Sequence, residues 1–352
     1  MKKIIIIMLG LYLLVGCSTP QPEPPKEDPV VNEETPKPEP TPEPEPEPVV
    51  ETYYSVFTGK EVTQEQRDTR PIMVMIDNQQ DARPQANLSK ASVVYEMRVE
   101  GAFTRYIALF ERTKENFLLG PIRSARPNFV TLALQNDAIF VHHGGSTDGN
   151  AMIHQYKMDD LDGMILEGKV FFRYKDTKKF APHNSYVKIE DVYEYQQNRG
   201  SSLERTAEGF LFNSEFTLNN GEAVQSVRFN YGGNTHMTEY QYDANTKSYA
   251  KLRNKIPVVD ELSKQPVLAT NLLIQIAPSY IYNGVHRAFE NVGEGKGYYL
   301  TGGQMIEVLW KKSDNHREPL QFYTLDNQPL KLNVGQTWVN VIDKVSLIDF
   351  NY

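Results

Sequence analysis

The sequence predicts an α+β protein, with an N-terminal mixed α/β layered domain followed by a mostly β C-terminal domain. Before residue 213, segments with strand character alternate with segments that have helical spacing. After residue 213, nearly all apolar segments are short, rich in β-branched and aromatic residues, and separated by turns. The polar stretch 213–222, which contains Asn219-Asn220-Gly221, separates the two patterns. We therefore predict domains at residues 52–212 and 213–352.

The N-terminal domain is predicted to contain both strands and helices. Residues 72–76 form a continuous apolar run, which predicts a buried strand. Pro127 suits the first position of a helix, and apolar residues follow it with helical spacing. The other predicted elements are strands at 93–99, 103–110 and 138–141, and a helix at 189–200 that ends at Gly200.

The C-terminal domain is predicted as a series of short strands. They fall at residues 225–231, 238–242, 247–252, 272–276, 305–310, 320–325 and 337–342. A turn at residues 243–246 separates the second of them from the third. The glycine-rich segment 293–297 precedes a strand-like run, so we predict a turn there and not a phosphate-binding loop. We interpret five aromatic residues as cross-strand packing partners, with stacking on sugar rings as the alternative: Tyr280, Tyr282, Tyr299, Trp310 and Trp338.

The first seventeen residues predict a lipoprotein signal peptide. Lys2 and Lys3 precede an apolar run at residues 4–15, which is about 18 Å long as a helix and too short for a bilayer of roughly 30 Å. Leu14-Val15-Gly16-Cys17 resembles a bacterial lipobox, in which the cysteine becomes lipid-modified. The alternative is an ordinary secretory signal with an incidental cysteine. Because Cys17 is the only cysteine, its acylation excludes disulfides and cysteine-based catalysis.

Residues 18–51 are predicted to be a disordered tether. They contain twelve of the 22 prolines and ten acidic residues against two lysines. Extended polyproline II at about 3.1 Å per residue gives a reach of roughly 100 Å. The net charge of the whole chain is −8, and the tether alone also has a net charge of −8. Because the signal peptide contributes two lysines, residues 52–352 have a net charge of about −2. This near-neutral body argues against nucleic acid as a partner, because nucleic acid needs a basic face.

Several sequence blocks in the predicted domains resemble the YerB-like family of bacterial lipoproteins. The blocks are Met75-Ile76-Asp77-Asn78, Ala82-Arg83-Pro84-Gln85, Val94-Tyr95-Glu96, Glu100-Gly101-Ala102-Phe103-Thr104-Arg105, Gly120-Pro121-Ile122-Arg123-Ser124-Ala125-Arg126-Pro127, His142-His143-Gly144-Gly145-Ser146, Ala181-Pro182-His183-Asn184, Glu307-Val308-Leu309-Trp310-Lys311 and Gly335-Gln336-Thr337-Trp338. One departure is at Val258, near which family members more often carry a histidine. The resemblance implies a two-domain α+β lipoprotein of Gram-positive bacteria and implies no catalytic residue.

An anion site is one interpretation of the segment Arg123-Ser124-Ala125-Arg126-Pro127. If Pro127 begins a helix, both guanidinium groups can converge with the free N–H groups of that helix on a carboxylate or phosphate. The alternative is that the arginines are structural and pair with carboxylates. The candidates for that pairing are Asp77, Glu96 and Glu100. Arg105 fits either arrangement.

A polar cluster around histidines is the second candidate site. Gly-rich loops that follow strands often place side chains in a crevice, and His142-His143-Gly144-Gly145-Ser146 follows a predicted strand. We predict that His143 forms a polar cluster there with His183 and Asn184, in which a histidine is a base, an orienting group or a ligand. Ser146 is a further candidate binding residue. The alternative is that each histidine is buried and structural. No pair has chelating spacing, so we expect neither a metal nor another cofactor.

These patterns predict a lipid-anchored protein on the extracytoplasmic face of a Gram-positive type bacterium. The hypothesis we favour is a non-enzymatic protein that binds a cell-wall component or an envelope protein, because no catalytic motif is complete. The alternative is a hydrolase or transferase acting on an anionic wall polymer. In that case His143 or His183 would be the base, and Arg123 and Arg126 would hold the anion.

Overall fold

The computed structural model describes residues 51–233 and 235–352. The predicted signal peptide with Cys17 lies outside the described residues, and so does the predicted tether except for Glu51. Residues 51–352 belong to one compact unit. Among the residues described, no helix is long and apolar enough to cross a bilayer.

The described residues contain short α-helices, two of which were predicted. They are α1 (Gln64–Asp68), α2 (Pro127–Gln135), α3 (Thr147–Tyr156), α4 (Gly163–Leu166) and α5 (Ile189–Asn198), with 3-10 helices at Gln80–Ala82, Leu88–Lys90 and Val345–Leu347. Pro127 is the first residue of α2, as predicted. The helix predicted at 189–200 is confirmed as α5, and the chain leaves it through Gly200 at φ +80°. The apolar pattern missed α3 because only Gly149 and Ile153 of that helix are buried.

Strands make up most of the regular structure. In the first half they are β1 (Tyr53–Tyr54), β2 (Glu61–Val62), β3 (Ile72–Asp77), β4 (Val93–Glu100), β5 (Phe103–Phe110), β6 (Leu118–Leu119), β7 (Ile139–His142), β8 (Asp160–Asp162), β9 (Phe172–Arg173), β10 (Ser185–Lys188) and β11 (Leu211–Phe212). In the second half they are β12 (Glu222–Ala223), β13 (Ser226–Asn230), β14 (Met237–Asp243), β15 (Ser248–Arg253), β16 (Ile256–Pro257), β17 (Leu268–Ala269), β18 (Asn271–Ile276), β19 (Ser279–Tyr282), β20 (His286–Phe289), β21 (Gly293–Thr301), β22 (Gln304–Lys312), β23 (Gln321–Tyr323), β24 (Lys331–Leu332), β25 (Thr337–Ile342) and β26 (Ile348–Asn351). The predicted strands are confirmed with ends within two residues, and so is the mixed α/β first half followed by a β-rich second half.

One large sheet runs through the whole described body. Its main path is β12-β22-β21-β18-β25-β4-β5-β3-β7-β8, and β19, β20 and β23 attach beside it. β4 from the first half pairs in parallel with β25 from the second, so that Glu96 lies opposite Asn340. The two halves therefore share a continuous sheet, while the domain boundary at residue 213 stays a prediction.

Both faces of this sheet are covered, which explains why its central strands are apolar along their whole length. Successive side chains of a strand point to opposite faces. Ile72, Val74 and Ile76 of β3 pack in one core cluster, whereas Met73 and Met75 pack in the other. The second cluster includes residues of α2, and the first includes residues of α5 and of a smaller sheet.

The smaller sheet is antiparallel and comes from the second half of the chain. Its order is β16-β15-β14-β13-β26, with β17 paired to β15. The turn predicted at residues 243–246 is confirmed, because Asp243 and Ser248 are the last paired residues of the β14–β15 hairpin. Trp338 of β25 is fully buried and packs edge-on against Tyr106 and Tyr240, so it is a packing residue, as we interpreted it.

The turn predicted at residues 293–297 is wrong, because these residues are the first half of strand β21. Gly295 lies against the ring of Trp310 on β22, where an added Cβ would come 2.7 Å from the ring atoms. Gly297 lies against the carbonyl oxygen of Ile274, 2.3 Å from the position of such a Cβ. These glycines therefore allow close packing between strands, a use of glycine that local sequence does not distinguish from a turn.

Candidate functional site

The predicted site residues gather at one edge of the large sheet, which we call the carboxyl edge. β3, β7 and β8 run parallel and end there at Asp77, His142 and Asp162. β4 runs in the same direction, since β3 and β4 are both antiparallel to β5, and it ends there at Glu100. Crevices outside the carboxyl ends of parallel strands are common ligand sites.

Backbone hydrogen bonds hold the segment with Arg123 and Arg126 at this edge. The N–H of Arg123 donates to the carbonyl of Met75 at 2.9 Å, and the carbonyl of Arg123 accepts from the N–H of His143 at 3.1 Å. The N–H of Ala125 donates to the carbonyl of Gly144 at 2.9 Å. The segment therefore lies between the end of β3 and the loop after β7, so the two motifs singled out in the sequence lie side by side.

Asp77 is the anchor of the first cluster at the carboxyl edge. Its carboxylate is fully buried, and its Oδ2 accepts from Nδ1 of His183 at 2.8 Å and lies 2.9 Å from Nε of Arg123. Its Oδ1 accepts from the N–H of Gln79 at 3.0 Å. Nε2 of His183 and the two terminal nitrogens of Arg123 have no partner among the described residues, and none of the three is fully buried. Asp77 thus orients His183 and Arg123, which leaves Nε2 of the ring and the terminal N–H groups of the guanidinium free. Nε2 is a donor only when the ring is protonated and otherwise is an acceptor.

Glu100 is the centre of a second cluster, which contains the other two candidate arginines. It accepts from Nε of Arg126 at 2.9 Å and from Nη2 of Arg105 at 3.3 Å, and Nε2 of His286 lies 3.6 Å away. Arg105 also donates to the carbonyl of Ser124 at 2.8 Å. Burial, together with the neighbouring Arg126, lowers the pKa of Arg105 to about 10. Arg105 and Arg126 are therefore paired with a carboxylate, as in the structural interpretation of the arginine segment.

His143 is held in a form that does not suit a general base. Its Nδ1 lies 2.8 Å from Oγ of Ser185, and its Nε2 lies 3.4 Å from the guanidinium of Arg173, which can only donate. The ring proton therefore belongs on Nδ1, from which it is donated to Ser185. Burial, followed by the charge of Arg173, lowers the pKa of His143 and favours this neutral ring. Ser185 is 1% exposed and is not accessible to a substrate.

The other candidate residues of this loop region have structural partners. Both nitrogens of His142 face acceptors, namely the carbonyl of Gly144 at 2.9 Å and Oδ2 of Asp160 at 3.1 Å. Ser146 is the N-cap of α3, where its hydroxyl accepts from the N–H of Gly149. Asn184 lies near Arg173, with its Oδ1 3.5 Å from Nη1. His143 and His183 therefore bind different partners, and no hydrogen bond joins the two rings in the described part of the chain.

Glu96 lies apart from the candidate arginines, in a buried cluster that we did not predict from the sequence. Its Oε2 accepts from Nζ of Lys251 at 2.6 Å, and its Oε1 lies 3.7 Å from Arg253. Thr104 and Thr238 also donate to Oε1. Burial works to raise the pKa of Glu96, but Lys251 and Arg253 outweigh it and the pKa is lowered. Burial also lowers the pKa of Lys251, to about 8.

The sequence contains one local signal for this cluster. Lys251 and Arg253 lie two residues apart on β15 and share a face of that strand with the buried Tyr249. Two cations on the inward face of a strand require a buried carboxylate partner. The partner, Glu96, is 155 residues away in sequence.

Comparison with known proteins finds two family domains, one in each half of the chain. The family model "Protein of unknown function (DUF3048) N-terminal domain" matches residues 57–202, and the corresponding C-terminal domain model matches residues 227–339. The Bacillus subtilis (strain 168) protein named "Putative lipoprotein YerB" is 32% identical over 288 residues, which cover 81% of this chain and 85% of that protein. The chain belongs to the YerB-like family. The crystal structure of Bacillus subtilis YerB is similar with a TM-score of 0.77 and 29% identity, over 85% of this chain and all of that one.

The two YerB-like family domains are in contact at the Glu96 cluster. Asp77, Glu96 and Glu100 belong to the N-terminal match, whereas Lys251 and Arg253 belong to the C-terminal match. The Glu96–Lys251 ion pair therefore joins the two domains beside the paired strands β4 and β25. The relative's printed name classes it as a lipoprotein, in agreement with the lipobox predicted at Cys17.

Proposed function

We propose that this YerB-like protein is a tethered lipoprotein of the cell envelope that binds an anionic group through Arg123 and His183. The observation that carries this proposal is the shared anchor: one buried oxygen of Asp77 accepts a hydrogen bond from His183 and forms an ion pair with Arg123. The terminal N–H groups of Arg123 are then free, and Nε2 of His183 adds an N–H donor when the ring is protonated. Such preorganised donors bind a carboxylate or phosphate with a small loss of side-chain entropy.

The charges at the carboxyl edge support this proposal. Arg105, Arg123 and Arg126 provide three positive charges against the two carboxylates of Asp77 and Glu100. One positive charge therefore remains even when His183 is neutral. The surplus lies with Arg105 and Arg126, which share the carboxylate of Glu100, and it adds a positive charge beside the Arg123–Asp77 pair.

An exposed aromatic residue lies next to these donors. The carbonyl of Phe180 accepts from the N–H of His183 at 2.7 Å, which places both residues in one turn. The Phe180 side chain is 81% exposed. Arginine beside an exposed aromatic ring is typical of protein recognition surfaces. This combination fits an envelope protein or a wall component that presents an anion beside an apolar group.

The membrane placement in this proposal rests on the N-terminal sequence. Acylation of Cys17 would anchor the chain in the lipid bilayer, and residues 18–51 would hold the body up to roughly 100 Å away. The extracytoplasmic face of a Gram-positive type membrane is the compartment that a lipobox and a long acidic tether fit best. The lipoprotein name of the Bacillus subtilis relative supports the same placement.

A hydrolase or transferase is the second candidate function, and one contact favours it. A buried aspartate bonded to Nδ1 of a histidine, with Nε2 free, is the arrangement of a general base and its orienting group. His183 meets this geometry and His143 does not. In this case Arg123 would hold the anionic polymer while His183 activates a nucleophile.

Binding is tested with the full lipoprotein in detergent and purified cell walls. We expect Arg123→Gln to weaken co-sedimentation about ten- to a hundredfold, since a hydrogen bond to a charged group contributes roughly 1.5–3 kcal/mol. Arg228→Gln is the matched control, because Arg228 is an exposed strand arginine paired with Asp349. If the chain does not sediment with walls, crosslinking in intact cells must recover an envelope protein in an Arg123-dependent way. Failure of both assays would contradict the proposal.

The same samples distinguish binding from catalysis. A hydrolase releases soluble wall fragments with time, and His183→Gln would stop that release. A binding protein releases none, and His183→Gln lowers only the bound fraction. Release of fragments that depends on His183 would replace the binding proposal with the enzymatic one.

A further inference from the structure

We infer that a pocket between the two family domains binds a small amphiphilic anion, that is, a carboxylate or phosphate that carries an apolar group. This seam pocket has a volume of about 380 Å³. Its lining includes Arg83 and Pro84 from the N-terminal family domain and Arg253, Ile256 and Val258 from the C-terminal one. The volume lies in the range typical of small-molecule sites. The site goes beyond the proposed function, since it uses neither Arg123 nor His183.

The seam pocket has more positive charge than its surroundings neutralise. Arg83 and Arg253 line it, and Lys251 lies behind Arg253 on the same strand, against the single carboxylate of Glu96. Asp77 is the other carboxylate near Arg83, and it is already paired with Arg123 and His183. An anion in the pocket would supply the missing negative charge.

The guanidinium group of Arg253 is buried, and not all of its N–H groups donate a hydrogen bond. It is 4% exposed, and its Nη1 donates to Oγ1 of Thr238 at 2.8 Å. Its Nε is buried and has no partner among the described residues. That nitrogen is closed off from the pocket, but Nη2 of Arg253 has no partner among the described residues and is not fully buried, so an acceptor in the pocket can reach it.

Arg83 supplies the second guanidinium from the opposite side of the seam. Its Nε donates to Oδ1 of Asn78 at 3.1 Å, and its Nη2 donates to the carbonyl of the same residue. These two bonds fix the orientation of the group, and Nη1 has no partner among the described residues. Burial lowers the pKa of Arg83, and the charge of Arg253 acts in the same direction. An anion placed between the two guanidinium groups would offset the repulsion between the positive charges of Arg83 and Arg253.

One wall of the seam pocket is apolar, which defines the other part of the ligand, while Gln80, Gln85 and Asn254 complete the lining. Ile256, Pro257, Val258 and Val259 follow Arg253 along the β15–β16 hairpin. Ile256 is 69% exposed, although it is a large aliphatic side chain. An aliphatic group of the ligand would cover this hairpin while its head reaches the guanidinium groups.

The test is calorimetric titration of the mature chain, residues 17–352, with Cys17→Ser so that no detergent is needed. The probes are decanoate, decyl phosphate, acetate and decanol. We expect decanoate and decyl phosphate to bind to the seam pocket, and acetate and decanol to bind there at least tenfold more weakly, because each of these two lacks one half of the ligand. Tighter binding of decyl phosphate would assign a lipid-type phosphate, and tighter binding of decanoate a fatty-acid type carboxylate.

Three substitutions tie the binding to the seam pocket. Arg83→Gln should weaken decanoate at least tenfold, and Ile256→Ser should weaken it several-fold. Ile281→Ser is the matched control, since Ile281 is exposed on β19 and does not line the pocket. Arg228→Gln should also leave decanoate binding unchanged, since Arg228 is an exposed arginine that does not line the pocket. Equal binding of decanol and decanoate, full binding by Arg83→Gln, or no binding of either amphiphilic anion would overturn the inference.

Discussion

Replacement of Lys251 by methionine should destabilise the entire described body, because Glu96 would stay buried without its main counter-charge. Nζ of Lys251 lies 2.6 Å from Oε2 of Glu96, and the two side chains are 1% and 0% exposed. Breaking a buried ion pair by removing one partner costs about 3–5 kcal/mol. Glu96 keeps Thr104, Thr238 and the more distant Arg253, so we expect about 3 kcal/mol for Lys251→Met.

The reverse substitution gives a similar cost for a different reason. Glu96→Gln leaves Lys251 buried beside Arg253 and without a carboxylate, which we again expect to cost about 3–5 kcal/mol. In the double variant neither charge is left alone. Contacting residues typically show coupling energies of about 0.5–3 kcal/mol, so the double variant should be about 2 kcal/mol more stable than the sum of the two single changes.

Equilibrium unfolding in urea measures these effects. Tryptophan fluorescence reports the site directly, since the ring of Trp338 lies 4.1 Å from Nζ of Lys251. Lys296→Met is a matched control, because Lys296 is an exposed lysine in strand β21 and should change the unfolding free energy by less than about 0.5 kcal/mol. A cost below about 1 kcal/mol for either single variant, or strict additivity in the double variant, would refute the argument from burial.

The remaining predictions use the same unfolding assay. Ser146→Ala should cost about 1 kcal/mol through loss of the α3 cap, and Ser146→Asp should restore most of it. Gly295→Ala should cost about 1–3 kcal/mol, since its Cβ would come 2.7 Å from the Trp310 ring; a neutral effect would show that the ring moves freely.

The fold was predictable wherever a local pattern and its physical cause lie in the same few residues. The apolar run of β3 and the Pro127 start of α2 are examples, because burial on both faces and a preset φ act within one segment. The strand that begins at Gly293 was not predictable in this way. Its glycines are required by Trp310 and Ile274 on neighbouring strands, and a turn would use the same residue type.

The candidate site was predictable as a set of neighbours but not as a set of pairs. Asp77, Arg123 and His183 were named from the sequence, and the structure places them together. Which carboxylate each arginine would bind was left open between Asp77, Glu96 and Glu100. Ion pairing depends on distances of a few ångströms between side chains from different strands, which residue spacing does not define.

The sequence by itself determined the class of elements and the chemistry available at the sheet edge, because periodicity and turn residues act over short stretches. It also predicts a lipobox at Cys17 and an acidic tether, because both predictions come from short stretches of the linear chain. Only the tertiary structure decided that β4 pairs with β25, that Glu96 forms an ion pair with Lys251, and that Arg83 and Arg253 line the same pocket. The physical reason is that burial and pairing are properties of contacts between distant segments, and these contacts exist only once both halves of the chain share a core.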